Sequence, residues 1–222
     1  MEKEQNNKII QEIEIFHLTE PRSKEKVNDV RKQEKEYTAT RKEITPIDPR
    51  HIKQKIEALL KKVENTRNRE GVLAQCQRQA MKSGLSAGIW DSDFIVAAQD
   101  PSSKDIIGYA ALHKGLGRRP ETDLHAFIIT IDPEYQGNGI GKIIYDYVEE
   151  HSKGLETISA HMDNQNSMDF HKHLGFTQED GRERNCIKQI DQEKAIHSYK
   201  EIPDFQIRTI PTKHKTIERE VT

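Results

Sequence analysis

A chain of 222 residues suits one domain with extensions, or two small ones. Its 35 Lys+Arg stand against 37 Asp+Glu, so no global field attracts nucleic acid or acidic lipid. With 33 % hydrophobic residues and a mean hydropathy of −0.88, part of the chain has to be solvated helix or loose tail.

The only cysteines, Cys76 and Cys186, stand far apart with no C-x-x-C pair, which points to a reduced, cytoplasmic setting and not a disulfide scaffold. No apolar run approaches the ~20 residues of a membrane span. The start, MEKEQNNKII, lacks the apolar stretch of a signal peptide. A soluble protein with no membrane partner is expected.

Residues 1–92 read as a charged, mostly helical region that contributes a first strand. EIEIFHLT (12–19) alternates Ile13 and Ile15, then shifts to Phe16 and Leu18, a strand with a phase slip. Residues 20–37 read as a polar helix with Pro21 in its first turn. After Asp48-Pro49, the residues Ile52, Ile56, Leu59, Leu60 and Val63 recur at helical spacing. A further helix covers 71–84 and closes at Gly84.

Residues 93–202 read as the organised core. DFIVAAQ (93–99) and IIGYAALH (106–113) are apolar strands joined by the turn-forming DPSSKD. LHAFIITI (124–131) is apolar on both faces, as a central strand would be. A glycine-rich stretch follows, then a helix with Ile140, Ile143, Ile144, Tyr147 and Val148 on one side. TISAHM (157–162) is another strand, and 166–176 a short helix ending at Gly175. NCIKQI (185–190) and AIHSYKEI (195–202) read as a closing hairpin. Residues 203–222 read as a charged, loosely attached tail, with FQIRTI (205–210) as a candidate edge strand.

The stretch EYQGNGIGKII (134–144) places three glycines in five positions directly before a helix. A dinucleotide fingerprint counted from Gly137 would need glycine where Lys142 stands. A P-loop would need glycine at Gln136 and a hydroxyl residue at Ile143. What remains is Q-G-x-G-x-G between a strand and a helix. Such glycines let main chain approach a ligand and aim successive N–H groups at an anion, where the helix N-terminus adds a favourable field.

Gln136, Gly139 and Gly141, with Pro133-Glu134 upstream, resemble the acyl-CoA motif of the GCN5-related N-acetyltransferase (GNAT) family, written [Q/R]-x-x-G-x-[G/A]. NQNSMDFHKHLGF (164–176) resembles a second family element through Asn164, Phe170, Leu174, Gly175 and Phe176, with Ser167 at the small position and His171 replacing a usual Tyr. The resemblance covers residues 93–202. It implies an α/β (α+β) GNAT fold: a mixed, splayed central β-sheet flanked by helices, here with an extended helical N-terminal region and a charged C-terminal tail. It also implies acetyl-CoA as acyl donor and no metal. The diphosphate would lie on the amides of Gly137, Asn138, Gly139, Ile140, Gly141 and Lys142, and the pantetheine arm along Ile129, Thr130 and Ile131. Gln136, Asn164 and Phe170 complete the expected coenzyme contacts.

An amine acceptor has to lose a proton before attacking a thioester, and a lysine-like amine titrates near ~10.4. A positioned base is worth roughly 10²–10⁴-fold. Many family members place a Glu base eleven residues before the motif Gln; here that position is His125, whose imidazole can accept a proton near neutrality. A His wedged between strands is the other reading. Glu121 and Asp123 are nearby replacements, attractors for a cationic acceptor, or plain loop charges. The family's acid position carries His171, which is otherwise a surface helix residue. His171 and His173 face different sides of a helix, so a metal pair is not expected. Asn164 is alternatively a helix N-cap.

The expected function is an N-acetyltransferase moving acetyl from acetyl-CoA to a primary amine, on a small molecule or a protein lysine or N-terminus, by direct attack in a ternary complex. The alternative is a catalytically weakened acyl-CoA-binding module that acts through a partner protein. A homodimer is compatible with either. Nucleic-acid binding is disfavoured by balanced charge and the lack of an aromatic-basic platform.

Overall fold

The computed structural model describes residues 8–18, 49–66, 92–115, 120–162, 165–200 and 206–212. The helices expected over 20–37 and 71–84, Cys76, Asn164, and residues 203–205 and 213–222 of the tail lie outside the described residues.

Among the described residues, eight strands and three helices follow in chain order: β1 (Glu12–Leu18), α1 (Pro49–Thr66), β2 (Phe94–Gln99), β3 (Ile106–Lys114), β4 (Asp123–Ile131), a 3-10 turn (Pro133–Tyr135), α2 (Ile140–Glu150), β5 (Thr157–His161), α3 (Gln165–His173), β6 (Thr177–Glu179), β7 (Arg182–Gln189) and β8 (Arg208–Pro211). The strands form one sheet in the order β6-β7-β5-β4-β3-β2-β1-β8. Among the described strands only β4 and β5 run parallel, because the connection between them is a crossover through α2. This is the mixed sheet with flanking helices that the resemblance implied, with β4 inside it.

Each face of the sheet is covered. Ile52, Ile56, Leu59, Leu60 and Val63 of α1 are all buried against Phe16, Ile95, Ala97, Tyr109 and Ala111. On the opposite face Ile140, Ile144, Tyr147 and Val148 of α2 pack on Ile13, Ile15, Phe94, Val96 and Leu112. Each such side chain contributes roughly 1.5–3 kcal/mol when fully buried. The apparent phase slip in β1 is not a bulge, for its pairing with β2 runs unbroken from Glu14 to Leu18. Ile13 and Ile15 face α2 and Phe16 faces α1, so burial on both sides blurs the alternation.

The closing hairpin differs from expectation. It is formed by β6 and β7 across Asp180-Gly181, where Gly181 adopts φ +73°. Residues 195–200 are not a strand of this hairpin. A turn held by Asp191, whose carbonyl accepts from the amides of Lys194 and Ala195, sends Ala195 and Tyr199 into the core, with Tyr199 stacked on Phe94 at 5.4 Å. The edge strand foreseen in 205–210 is present as β8, paired antiparallel with β1. Among the described residues no helix is long and apolar enough to cross a membrane.

Candidate active site

β4 pairs with β3 from Leu124 through Ile131, but with β5 only over Asp123–Ala126. Beyond Ala126 the two parallel strands separate, and one edge of β4 has no strand beside it among the described residues. A register shift opposite Ala111 and Leu112 leaves Phe127 without a counterpart on β3. The Phe127 side chain is 46 % exposed, edge-on to His113 at 5.3 Å between centroids. Ile129 and Ile131 turn their side chains into the core beside α2, and Thr130 is buried, so these three residues offer the cleft mainly their backbone.

The glycine stretch lies where β4 gives way to α2. Asp132 caps the 3-10 turn by accepting from the Glu134 amide at 3.0 Å, and Lys62 of α1 donates to its other oxygen at 2.8 Å. Burial pulls the Lys62 ammonium down, yet hydrogen bonds to Asp132 and Glu134 more than offset this and raise its pKa. Gly137 and Gly139 adopt φ +85° and +81°, a region open to glycine at little cost. A Cβ on Gly139 would meet nothing within 4 Å, so conformation, not crowding, accounts for glycine there, and the space above it is clear. Gly141 differs: a Cβ there would stand 2.7 Å from Phe170 Cζ, so this glycine lets α3 close on α2.

Gly139 is the N-cap of α2 and has no side chain to satisfy the helix's first amides. Those N–H groups have no intrahelical acceptor and carry the positive end of the helix dipole. Lys142 lies on the first turn, exposed and paired with Asp146 at 2.5 Å. The Asn138 side chain turns inward instead: it donates to the carbonyls of Lys8 and Tyr135 at 2.9 Å each and is 2 % exposed. Ile140 is buried too, so Asn138 and Ile140 can meet a ligand only through their main chain. Gln136 is exposed and reaches back to the Ile131 carbonyl at 3.4 Å.

His171 is not the surface residue a short polar helix suggests. It is 2 % exposed, packed edge-on to Phe170, Tyr145 and Phe176. Its Nδ1 donates to the Ser167 carbonyl at 2.7 Å, which makes Nε2 the acceptor of the Tyr145 hydroxyl at 2.9 Å. Burial holds its pKa below the ordinary histidine value. This gives the imidazole a packing task between α2 and α3.

His125 stands one pair before the strands part, in register with Ser159 of β5. Its neighbours Leu124 and Ala126 face α2, so His125 projects from the other face, half-buried. Its Nδ1 lies 2.9 Å from Ser159 Oγ. Ser159 donates to Asp123 Oδ2 at 2.6 Å, and Thr157 donates to Asp123 Oδ1 at 2.6 Å. Asp123 is therefore no loop charge: it is 1 % exposed and opens β4. Glu121 is exposed and pairs with Lys114 at 3.3 Å. Ser159 did not stand out in the sequence, although Thr157, Ser159 and His161 recur with the period of one strand face.

No curated protein matches this sequence. Among solved structures, a GNAT-family acetyltransferase from Staphylococcus aureus Mu50 is similar at 17 % identity, over 65 % of this chain and 96 % of that one, with a TM-score of 0.48. The N-acetyltransferase YhbS from Escherichia coli, solved in complex with CoA, is similar at 14 % identity over 67 % and 81 % of the respective chains, TM-score 0.47. The profile of the Acetyltransferase (GNAT) family matches residues 57–176, more than half of the chain, and takes in the second half of α1, the parting of β4 from β5, the glycine stretch and α3. The chain belongs to the GNAT acetyltransferase family.

Proposed function

We propose that this protein is an N-acetyltransferase that moves acetyl from acetyl-CoA to a primary amine, on a small molecule or a protein lysine or N-terminus. The observation that carries the reading is the open edge of β4 beyond Ala126, continuous with the glycine-lined N-terminus of α2. The clear space over Gly139 and its uncapped amides fit a diphosphate. The edge of Ile129–Ile131, beside which no strand lies among the described residues, fits an extended pantetheine amide chain, which adds to a sheet edge as a strand does.

Bound acetyl-CoA would supply a thioester carbon open to attack by an amine. The amides of Gly137 to Lys142 would hold its diphosphate, and Phe170 would line the cleft from α3. His125 takes the acceptor's proton: the N–H bond of the ammonium breaks as Nε2–H forms. Main-chain N–H groups on the bulged part of β4 supply donors for the carbonyl oxygen. His171 is given no proton transfer, because both its nitrogens are engaged inside the core. A departing thiolate with a pKa near ~8.5 needs an acid less than the amine needs a base.

Calorimetry with acetyl-CoA, followed by thiol release over a panel of polyamines, aminoglycosides and peptides, tests the reading. Binding with turnover that drops on His125→Ala supports it. Absence of binding by folded protein overturns it. Binding without turnover on the whole panel favours the alternative, an acyl-CoA-binding module working through a protein partner.

A further inference from the structure

The hydroxyls on β5 form a chain whose direction is settled by proton counting. Ser159 has one proton, and Asp123 Oδ2 takes it at 2.6 Å. Ser159 Oγ can then only accept from His125, so the 2.9 Å contact needs a proton on Nδ1. That tautomer places the imidazole lone pair on Nε2. The far end is anchored as well, because Thr157 donates to the second oxygen of Asp123. Asp123 and Ser159 are 1 % and 0 % exposed, so water does not substitute for these links.

We propose that Asp123, acting through Ser159, is the positioning group that holds His125 in the Nδ1–H form and stabilises it once Nε2 has been protonated. The proposal rests on the reading of His125 as the base of acetyl transfer. A carboxylate joined to an imidazole through one hydroxyl does what a direct carboxylate–imidazole contact does, at longer range. It orients the ring, excludes the other tautomer and favours the cation that forms when the acceptor loses its proton. Among the described residues, His113 and His161 are further titratable groups near His125 on the same face. His113 lies across on β3, with Nε2 3.1 Å from Ser92 Oγ. His161 lies two residues beyond Ser159, with Nδ1 2.9 Å from Asn185 Oδ1. The Lys114–Glu121 pair flanks the start of β4. Of these neighbours, Asp123 is the buried carboxylate linked to the ring through a hydroxyl.

Long-range ¹H–¹⁵N spectra of the histidine rings test this in the full chain, with His125→Gln identifying the signal. The expected result is an Nδ1–H tautomer for His125 in the wild type. Ser159→Ala should erode that preference. Asp123→Asn should lower the His125 titration midpoint by about half to one pH unit, since a nearby carboxylate favours the cation. In thiol-release assays the acid limb of the rate profile should move to lower pH in Asp123→Asn. The plateau should fall roughly tenfold to a hundredfold in both variants, with the acetyl-CoA KM unchanged. An unchanged tautomer and midpoint in Ser159→Ala overturns the proposal, even if Asp123→Asn fails to fold. The ring spectra need no coenzyme, so wild type that shows the tautomer yet binds no acetyl-CoA overturns the transferase reading and leaves the relay standing.

Discussion

The hydroxyl of Tyr145 donates to Nε2 of His171 across 2.9 Å, joining the middle of α2 to the last turn of α3 inside the core. Burial raises the Tyr145 phenol and lowers the His171 imidazole, so both stay neutral at physiological pH and the bond keeps one direction. α2 and α3 are thus tied to each other inside the core.

Tyr145→Phe leaves a buried ring nitrogen without its donor, and a loss of about 1–2 kcal/mol is expected in urea unfolding. The double variant with His171→Leu should lose less than the two single losses added together, as for residues sharing one interaction. Acetyl-CoA affinity should stay within about threefold of wild type, since both side chains are buried in the core. A stable His171→Leu protein with collapsed thiol release would restore an acid role to this residue.

His17 on β1 is wholly buried, packs edge-on to Phe94 at 4.9 Å, and neither ring nitrogen has a hydrogen-bond partner among the described residues. Desolvation, then repulsion from His151, lowers its pKa from 6.5 to about 4. Between these values the unfolded chain binds the extra proton, so stability is complete above pH 6.5 and declines as pH falls toward 4. The decline is on the order of 3 kcal/mol for this group alone. His17→Leu should flatten that part of the stability profile, measured by urea unfolding from pH 4 to 7. His151 and His171, both lowered chiefly by burial, add slope of the same sign, and the lowered carboxyl of Glu134 adds to it toward pH 4.

Two glycines of one motif should respond differently to alanine. At Gly139 only the φ of +81° resists, a cost of about 1–2 kcal/mol, while acetyl-CoA affinity should drop at least about tenfold as the cradle closes. At Gly141 the new methyl meets Phe170, and about 1–3 kcal/mol of stability should be lost by overpacking. Adding Phe170→Leu should return part of that stability to the Gly141 variant and none to the Gly139 variant.

Asp132 joins the cap of the 3-10 turn to Lys62 on α1. Asp132→Ala should cost about 1–2 kcal/mol, the range of a lost helix cap. Because the turn leads directly into the glycines, weaker acetyl-CoA binding should accompany the loss in calorimetry.

The strands were legible because β2, β3 and β4 are apolar runs between turn residues, and α1 because five apolar side chains recur at helical spacing. The glycine stretch was legible because its residue types have few other uses before a helix. The relay was not. Asp123, His125 and Ser159 meet only through the parallel register of β4 and β5, set by a crossover of 25 residues that no local pattern encodes. His171 was misplaced for a related reason: Tyr145, 26 positions away, supplies the hydroxyl that makes its burial tolerable. The expected second strand, absent over 195–200, shows the limit of alternation, since a turn can hide apolar residues as well as a strand can.

β8 lies along the outer margin of β1, and Arg208 clasps Glu150 on α2 at 2.6 and 2.8 Å. A strand of four residues thereby occupies the backbone groups of Glu12–Ile15 that would otherwise recruit a neighbour. Shortened versions of the chain that stop at residue 200 would uncover that margin and stack molecule upon molecule, so solution behaviour depends on a segment whose composition looks expendable.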